Sequence, residues 1–292
     1  ERCGAETEKR NIKQWLLKIT KYADRLLEDL DKVDYLEKIK IQQQNWIGKS
    51  EGVVIKFPIL RTSDVQKLTA NMGTSDVPNI EVFTTRVDTI FGVTALVIAP
   101  EHPLVEGLTT KENREKVKKY IETAKKKSDL ERMETEKGKT GVFTGSYCLN
   151  PVNGEKIPIW LGDYVVATYG GGAVMMVPAH DKRDYQFAKK YGLKIRQVIY
   201  GSSTSIGKSN FPKLKEAFVD YGVLINSGQF NGLSSEKAIK EITEWLGKNR
   251  IGKKSVQYKL RDWIFSRQHY WGEPIPLVFC ENCAVKIKNQ KS

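Results

Sequence analysis

Between residue 46 and about residue 250, apolar runs of strand length alternate with short segments of helical periodicity, and this alternation limits the possible folds more than any other feature. The strand-like runs are Ile80 to Thr84, Thr94 to Ala99, Ile157 to Leu161, Tyr164 to Ala167, Ala173 to Val177 and Gln197 to Tyr200. Helical spacing marks 112–127, 181–191, 211–221 and 234–247, the last opened by a Ser-Ser cap. Such a mixture predicts an α/β or β-barrel-like domain decorated by helices. Val53, Ile55 and Phe57 alternate after the turn-like stretch Trp46 to Gly52 and predict its first strand. Ahead of it, Ile12, Trp15, Leu16, Ile19, Ala23, Leu26, Leu27 and Leu30 have the spacing of one amphipathic helix, so a boundary is expected near residue 45. Residues 126–140 are charged, lack an apolar stripe, and are expected to be an exposed connection.

A chain of 292 residues with 40% hydrophobic residues can bury one large or two modest cores. Its formal charge of +13 attracts polyanions, so RNA, DNA or an anionic membrane surface are candidate partners, although lysine-rich composition also occurs in heat-adapted proteins. No apolar run approaches the roughly 18 to 20 residues needed to span a bilayer, and no signal-peptide core is present, which makes cytoplasmic the default location. The abrupt start at Glu1-Arg2-Cys3 reads as a piece of something longer. Cys280 and Cys283 have the spacing of half a zinc site, to which Cys3 could add a third ligand. Free thiols are the alternative, and Cys148 reads as an ordinary buried residue. From Lys259 to Pro276 aromatic and basic residues interleave, a texture suited either to base stacking or to an interdomain seam.

Two motifs are candidates for chemistry. Thr84-Thr85-Arg86-Val87-Asp88-Thr89 closes a strand with hydroxyls that can recognise neutral polar atoms; the competing interpretation is a turn in which hydroxyls cap the backbone and Asp88 pairs with Arg86. Gly170-Gly171-Gly172 lets a ligand approach the backbone, Ala173 to Ala179 supply an apolar wall, and His180-Asp181-Lys182-Arg183-Asp184 a polar end. Helix capping explains part of the carboxylate pattern, but a carboxylate at a pocket edge also suits a ligand ammonium. Adjacent His and Asp seldom converge on one ion, so a metal site at His180, Asp181 and Asp184 is the weaker interpretation. Neither a Gly-x-Ser-x-Gly elbow nor a Walker loop is present.

Thr-Thr-Arg-x-Asp-Thr, Ala-Pro-Glu-His-Pro-Leu at 99–104, Asn-Pro-Val-Asn-Gly at 150–154, Val-Pro-Ala-His-Asp-x-Arg-Asp at 177–184, Phe-Ala-x-x-Tyr-Gly-Leu at 187–193 and Arg-Asp-Trp-x-x-Ser-Arg-Gln at 261–268 resemble, in collinear order, bacterial-type leucyl-tRNA synthetase. The resemblance implies that residues 46–256 are the editing insertion called connective peptide 1. It makes 1–45 a partial catalytic or zinc-region flank, and 257–292 the return into the catalytic domain with a partial zinc motif. The family's His-x-Gly-His and Lys-Met-Ser-Lys-Ser signatures are missing, so no synthetic activity is expected, and ATP would serve only the full-length synthetase.

The implied reaction is post-transfer editing: hydrolysis of the ester joining isoleucine, norvaline or a similar amino acid to the 3′ end of leucine tRNA. Editing would need no cofactor; its partners would be the mischarged tRNA and the remainder of the synthetase, with no membrane. By the same resemblance Asp184 would bind the α-ammonium, Thr89 would crowd the methyls on the branched γ carbon of leucine, and Thr84 and Thr85 would hold the ester and terminal adenosine and help orient the attacking water. Arg86 would anchor the threonine strand, Tyr169, Met175 and Val177 would line the pocket, and Asp88, His180 and Asp181 would support it. Val87, Thr168, Gly171 and His269 stand where the family commonly has Pro, Asp, Thr and Arg. The alternative function is a tRNA-binding or interdomain module that is inactive when isolated.

Overall fold

The computed structural model describes residues 15–60, 78–127, 131–132, 139–166, 170–201 and 214–264. Cys3, Thr168, Tyr169, His269, Cys280 and Cys283 lie outside the described residues, so the zinc expectation and the Tyr169 wall are not addressed by it. The chain divides into two compact units, Ser50–Gln257 and a second made of Glu1–Lys49 with Tyr258–Ser292.

The larger unit is a mixed α/β body around a seven-stranded sheet. Its strands are β1 (Ser50–Leu60), β2 (Asn79–Thr84), β3 (Ala95–Ile98), β4 (Gly141–Leu149), β5 (Lys156–Gly162) and β6 (Ala173–Met176), followed by the small pair β7 (Ile199–Tyr200) and β8 (Val223–Leu224) and the returning β9 (Gly252–Gln257). The large sheet runs β9-β1-β4-β5-β3-β6, with β2 paired to β1. Among the described residues only β3 and β5 are parallel. Strand β2 lies beside β6 without a ladder joining them, so no closed barrel forms among the described residues.

Strand β1 buries Val53, Ile55, Phe57 and Ile59 on one face, the expected period of two. By contrast β3 is buried throughout: Leu96 and Ile98 enter the main core, while Ala95 and Val97 face a second cluster with Val165, Met176 and Phe187. A strand covered on both faces has no use for polar alternation, which accounts for the uninterrupted run Ala95-Leu96-Val97-Ile98. Helices α1 (Arg114–Lys125), α2 (Lys182–Tyr191) and α3 (Ser235–Lys248) match the expected helical segments. In α3 the stripe Ala238, Ile242 and Leu246 is fully buried, as four-residue spacing requires. Cys148 is buried as expected, and burial pushes its thiol up.

Four local expectations fail, three of them where a distant partner takes over. The 12–30 stripe is not one helix: Leu16–Leu17 pair with Trp263–Ile264 as strands, and helix begins only at the 3₁₀ turn Ile19–Tyr22 and at Ala23–Asp29. Asp262 Oδ1 accepts from both the Thr20 amide and hydroxyl, a tie no local window contains. Residues 214–221 form no helix, because the carbonyls of Phe218 and Val219 accept from the His180 and Arg86 side chains instead of from amides one turn on. Residues 164–166 form no strand, the chain turning at Asp163 and Tyr164. The charged 126–140 stretch is not simply an exposed connection, since Arg132 and Lys139 are buried. The helix Glu37–Ile47 and the strands β4 and β9 lacked a local signal that marked them.

Candidate active site

The threonine-rich motif folds as a strand end running into a 3₁₀ turn, Val87–Gly92. The Thr84 hydroxyl accepts from the Arg86 amide at 3.0 Å, and the Thr89 hydroxyl donates to the Arg86 carbonyl at 2.7 Å. Arg86 meets Asp88 side-on, Nε to Oδ1 at 3.1 Å and Nη2 to Oδ2 at 3.0 Å. Asp88 is fully buried, and a planar guanidinium fork can satisfy both of its oxygens at once. The capping interpretation is therefore correct for Asp88 and for part of Thr84. Thr85 is left exposed, and Thr89 is buried with its hydroxyl tethered, which fixes the direction of its methyl.

The second motif frames β6, with the Gly170–Gly172 turn ahead of the strand and His180 to Asp184 after it. Gly171 has φ of 75° and Gly172 of 72°, left-handed backbone that a Thr at 171 would strain, which explains the glycine at this position. Met175 and Val177 are buried, Met175 in register with Leu96. Asp181 caps α2, its Oδ1 accepting from the amides of Arg183 at 2.8 Å and Asp184 at 3.1 Å. Asp184, one turn in, is buried, and its Oδ2 accepts from the Val177 amide at 2.9 Å. Among the described residues its Oδ1 accepts no hydrogen bond. Burial, reinforced by the Asp181 charge and opposed by Val177 and Arg183, pushes the Asp184 carboxyl up to about 7. A carboxylate this poorly solvated has much to gain from a cation brought to it.

His180 is a structural staple. Its Nδ1 donates to the Phe218 carbonyl at 2.9 Å, while Nε2 accepts from the amides of Val198 at 2.9 Å and Ile199 at 3.2 Å. Those contacts define a neutral tautomer protonated on Nδ1 and leave no lone pair for a metal, which removes the metal interpretation of this histidine. Burial, partly offset by the Phe218 bond, holds the imidazole below its ordinary value. The unfolded histidine thus takes up its proton first, near pH 6.5; its contribution to stability is present above that pH and lost as pH falls through the folded value. Replacing His180 by Ala would strand two buried amides and a carbonyl, and is expected to cost about 2 to 5 kcal/mol in denaturant unfolding.

The two motifs grip adjacent carbonyls of one segment. Arg86 Nη1 donates to Val219 at 2.9 Å beside the Phe218 bond of His180, and the Arg86 guanidinium lies 4.7 Å from the ring centre of Tyr221. No sequence signal marked Phe218, Val219 or Tyr221, because what matters in the first two is the backbone oxygen, which every residue has.

The family model for leucyl-tRNA synthetase, editing domain, matches residues 44–247. Leucine--tRNA ligase of Clostridium botulinum (strain Langeland) is 48% identical over 283 residues, covering 97% of this chain and 32% of that protein. Leucine--tRNA ligase of Borreliella burgdorferi (strain ZS7) is 53% identical over 280 residues, 96% of this chain and 31% of that protein. The chain thus spans about a third of the length of these curated relatives. A crystal structure of the Agrobacterium radiobacter K84 LeuRS-tRNA-LeuAMS ternary complex is similar with a TM-score of 0.68 and 34% identity, over 97% of this chain and 30% of that one.

Proposed function

The chain belongs to the leucyl-tRNA synthetase family, of which it carries the editing domain, and from that premise we propose that it hydrolyses the ester of mischarged leucine tRNA. The observation that carries this reading is Asp184: a buried carboxylate with one oxygen held by Val177 and the other free to receive an ammonium. Every aminoacyl ester has that ammonium, so Asp184 positions the substrate without choosing among side chains. Choice falls to Thr89, whose tethered hydroxyl turns its methyl into a fixed obstacle to leucine. Such a second, inverted selection is needed because one methylene in an apolar pocket is worth only ~1 to 3 kcal/mol.

Thr84 and Thr85 hold the ester and align a water. Water oxygen adds to the carbonyl carbon, the bond to the ribose oxygen breaks, and the ribose oxygen takes a proton, giving free amino acid and uncharged tRNA. Positioning and hydrogen bonds to the developing oxyanion supply the acceleration. Arg86 and Asp88 brace the turn, Asp181 caps the helix that presents Asp184, and His180 staples the neighbouring segment. Met175 and Val177 line the side-chain and adenosine pocket. Editing requires no cofactor; ATP and the Cys3, Cys280 and Cys283 thiols belong to the synthetic activity and zinc region of a whole synthetase. No helix among the described residues is long and apolar enough to cross a membrane. On the family reading the chain works on tRNA in the cytoplasm with the rest of the synthetase.

The test is incubation of the 292-residue chain with isoleucyl-tRNA and leucyl-tRNA of the leucine type. Release of isoleucine with leucine retained is expected. Binding without deacylation would replace this reading with that of a module inactive on its own.

A further inference from the structure

The charged 126–140 stretch has no role in the reaction above, yet Arg132 is buried, with only 3% of its side chain exposed. Its Nε donates to the Asp163 carbonyl at 2.5 Å, Nη2 to the Val165 carbonyl at 2.9 Å, and Nη1 and Nη2 to the Glu101 carboxylate at 2.7 and 3.2 Å. One guanidinium therefore ties together two segments far apart in sequence. Both lead to the wall of the candidate site. Ala99, two residues before Glu101, donates its amide to the Gly172 carbonyl at 2.8 Å; Val165 packs in the cluster containing Met176, next to the Val177 amide that holds Asp184.

Gly171 and Gly172, both left-handed and without Cβ atoms, cannot hold their own conformation by side-chain packing, so their geometry must come from what is bonded to them. We propose that Arg132 is a positioning residue for editing, fixing the Gly170–Gly172 turn and the start of β6 through Glu101 on one side and the 163–165 carbonyls on the other. The function assigned to it rests on the editing reading; the anchoring does not. A lysine cannot reproduce it, since a single ammonium lacks the planar fork that reaches two carbonyls and a carboxylate together. The segment also has anchors that do not pass through Arg132. Asp163 is separately held by Lys127 Nζ at 2.6 Å and, through its amide, by the Tyr120 hydroxyl at 2.9 Å.

Arg132→Lys and Arg132→Ala in the full 292-residue chain test this by amide exchange and by single-turnover hydrolysis of isoleucyl-tRNA. Exchange of the Ala99 and Val165 amides should accelerate roughly tenfold or more in both variants, while Val53 to Phe57 in β1 keep wild-type protection. The hydrolytic rate constant at saturating protein should fall by about tenfold or more, with tRNA affinity unchanged, because the loss is one of alignment. Unchanged exchange at Ala99, or equal loosening of β1, overturns the anchoring role. Loosened exchange with a wild-type rate constant overturns its importance for the reaction. If the unsubstituted chain hydrolyses nothing, the editing reading fails, and the exchange arm still decides whether Arg132 holds the turn.

Discussion

Asp184→Asn is expected to remove hydrolysis of mischarged tRNA while preserving the fold. The amide oxygen of Asn can still accept from the Val177 amide, so the helix start stays in place; what disappears is the charge that receives the α-ammonium. Truncating one partner of a buried, hydrogen-bonded charge pair costs about 2 to 5 kcal/mol, a fall in kcat/KM of about 30-fold to several thousand-fold. Asp184→Ala should lose at least as much and also strand the Val177 amide.

The same assignment sets an expected pH dependence. The Asp184 carboxyl is raised from 3.8 to about 7, so the stability it contributes is fully present below about 3.8 and is lost as pH rises through about 7. Wild type should therefore lose ground to Asp184→Asn in unfolding free energy between pH 4 and 8, by an amount on the order of a few kcal/mol, measured by denaturant unfolding at each pH. Catalysis runs the other way. Hydrolysis by wild type should climb as pH rises through about 7 and decline as the substrate α-amino group, with a pKa of about 7.7 to 8.0, loses its proton. Wild-type turnover in Asp184→Asn, or a wild-type profile flat between pH 6 and 8, would remove the ammonium anchor.

Thr89→Ala should make the chain hydrolyse correctly charged leucyl-tRNA. The Thr89 hydroxyl is tied to the Arg86 carbonyl, so the methyl has one direction to point, and its removal opens about a methyl group of space where the γ-branch of leucine must go. From the worth of a methylene in an apolar pocket, a rise of about 10- to 200-fold in leucine release is expected, with isoleucine release changed far less. Thr89→Val is the control: it keeps the shape and loses only the bond to Arg86, and should continue to spare leucine. Protection of leucyl-tRNA by Thr89→Ala, measured as leucine released per unit time, would overturn the steric filter.

Parts of the site were legible because their physics is local. Asp181 reads as a helix cap from its position before an apolar-periodic run, and it is one. The pairing of Asp88 with Arg86, two residues apart, could be read the same way. The strand-like runs at 80–84, 94–99, 157–161 and 173–177 also became strands, because alternation or full burial is written into short windows. What could not be read was the role of backbone atoms. The helical spacing of 211–221 lost to side chains from 86 and 180 reaching its carbonyls, and the charge of 126–140 concealed an arginine whose partners are carbonyls at 163 and 165.

By itself, the sequence determined the α/β class, most of the elements around the site and, through its resemblance, the family, since periodicity, caps and motif spacing are properties of neighbouring residues. Only the tertiary structure decided that His180 is a neutral staple and not a ligand, that burial pushes the Asp184 carboxyl up to about 7, and that Arg132 is buried between Glu101 and the carbonyls of Asp163 and Val165. The physical reason is that desolvation and the choice of hydrogen-bond partner depend on which segments are brought together in space, and those segments lie from a few residues to more than a hundred apart along the chain.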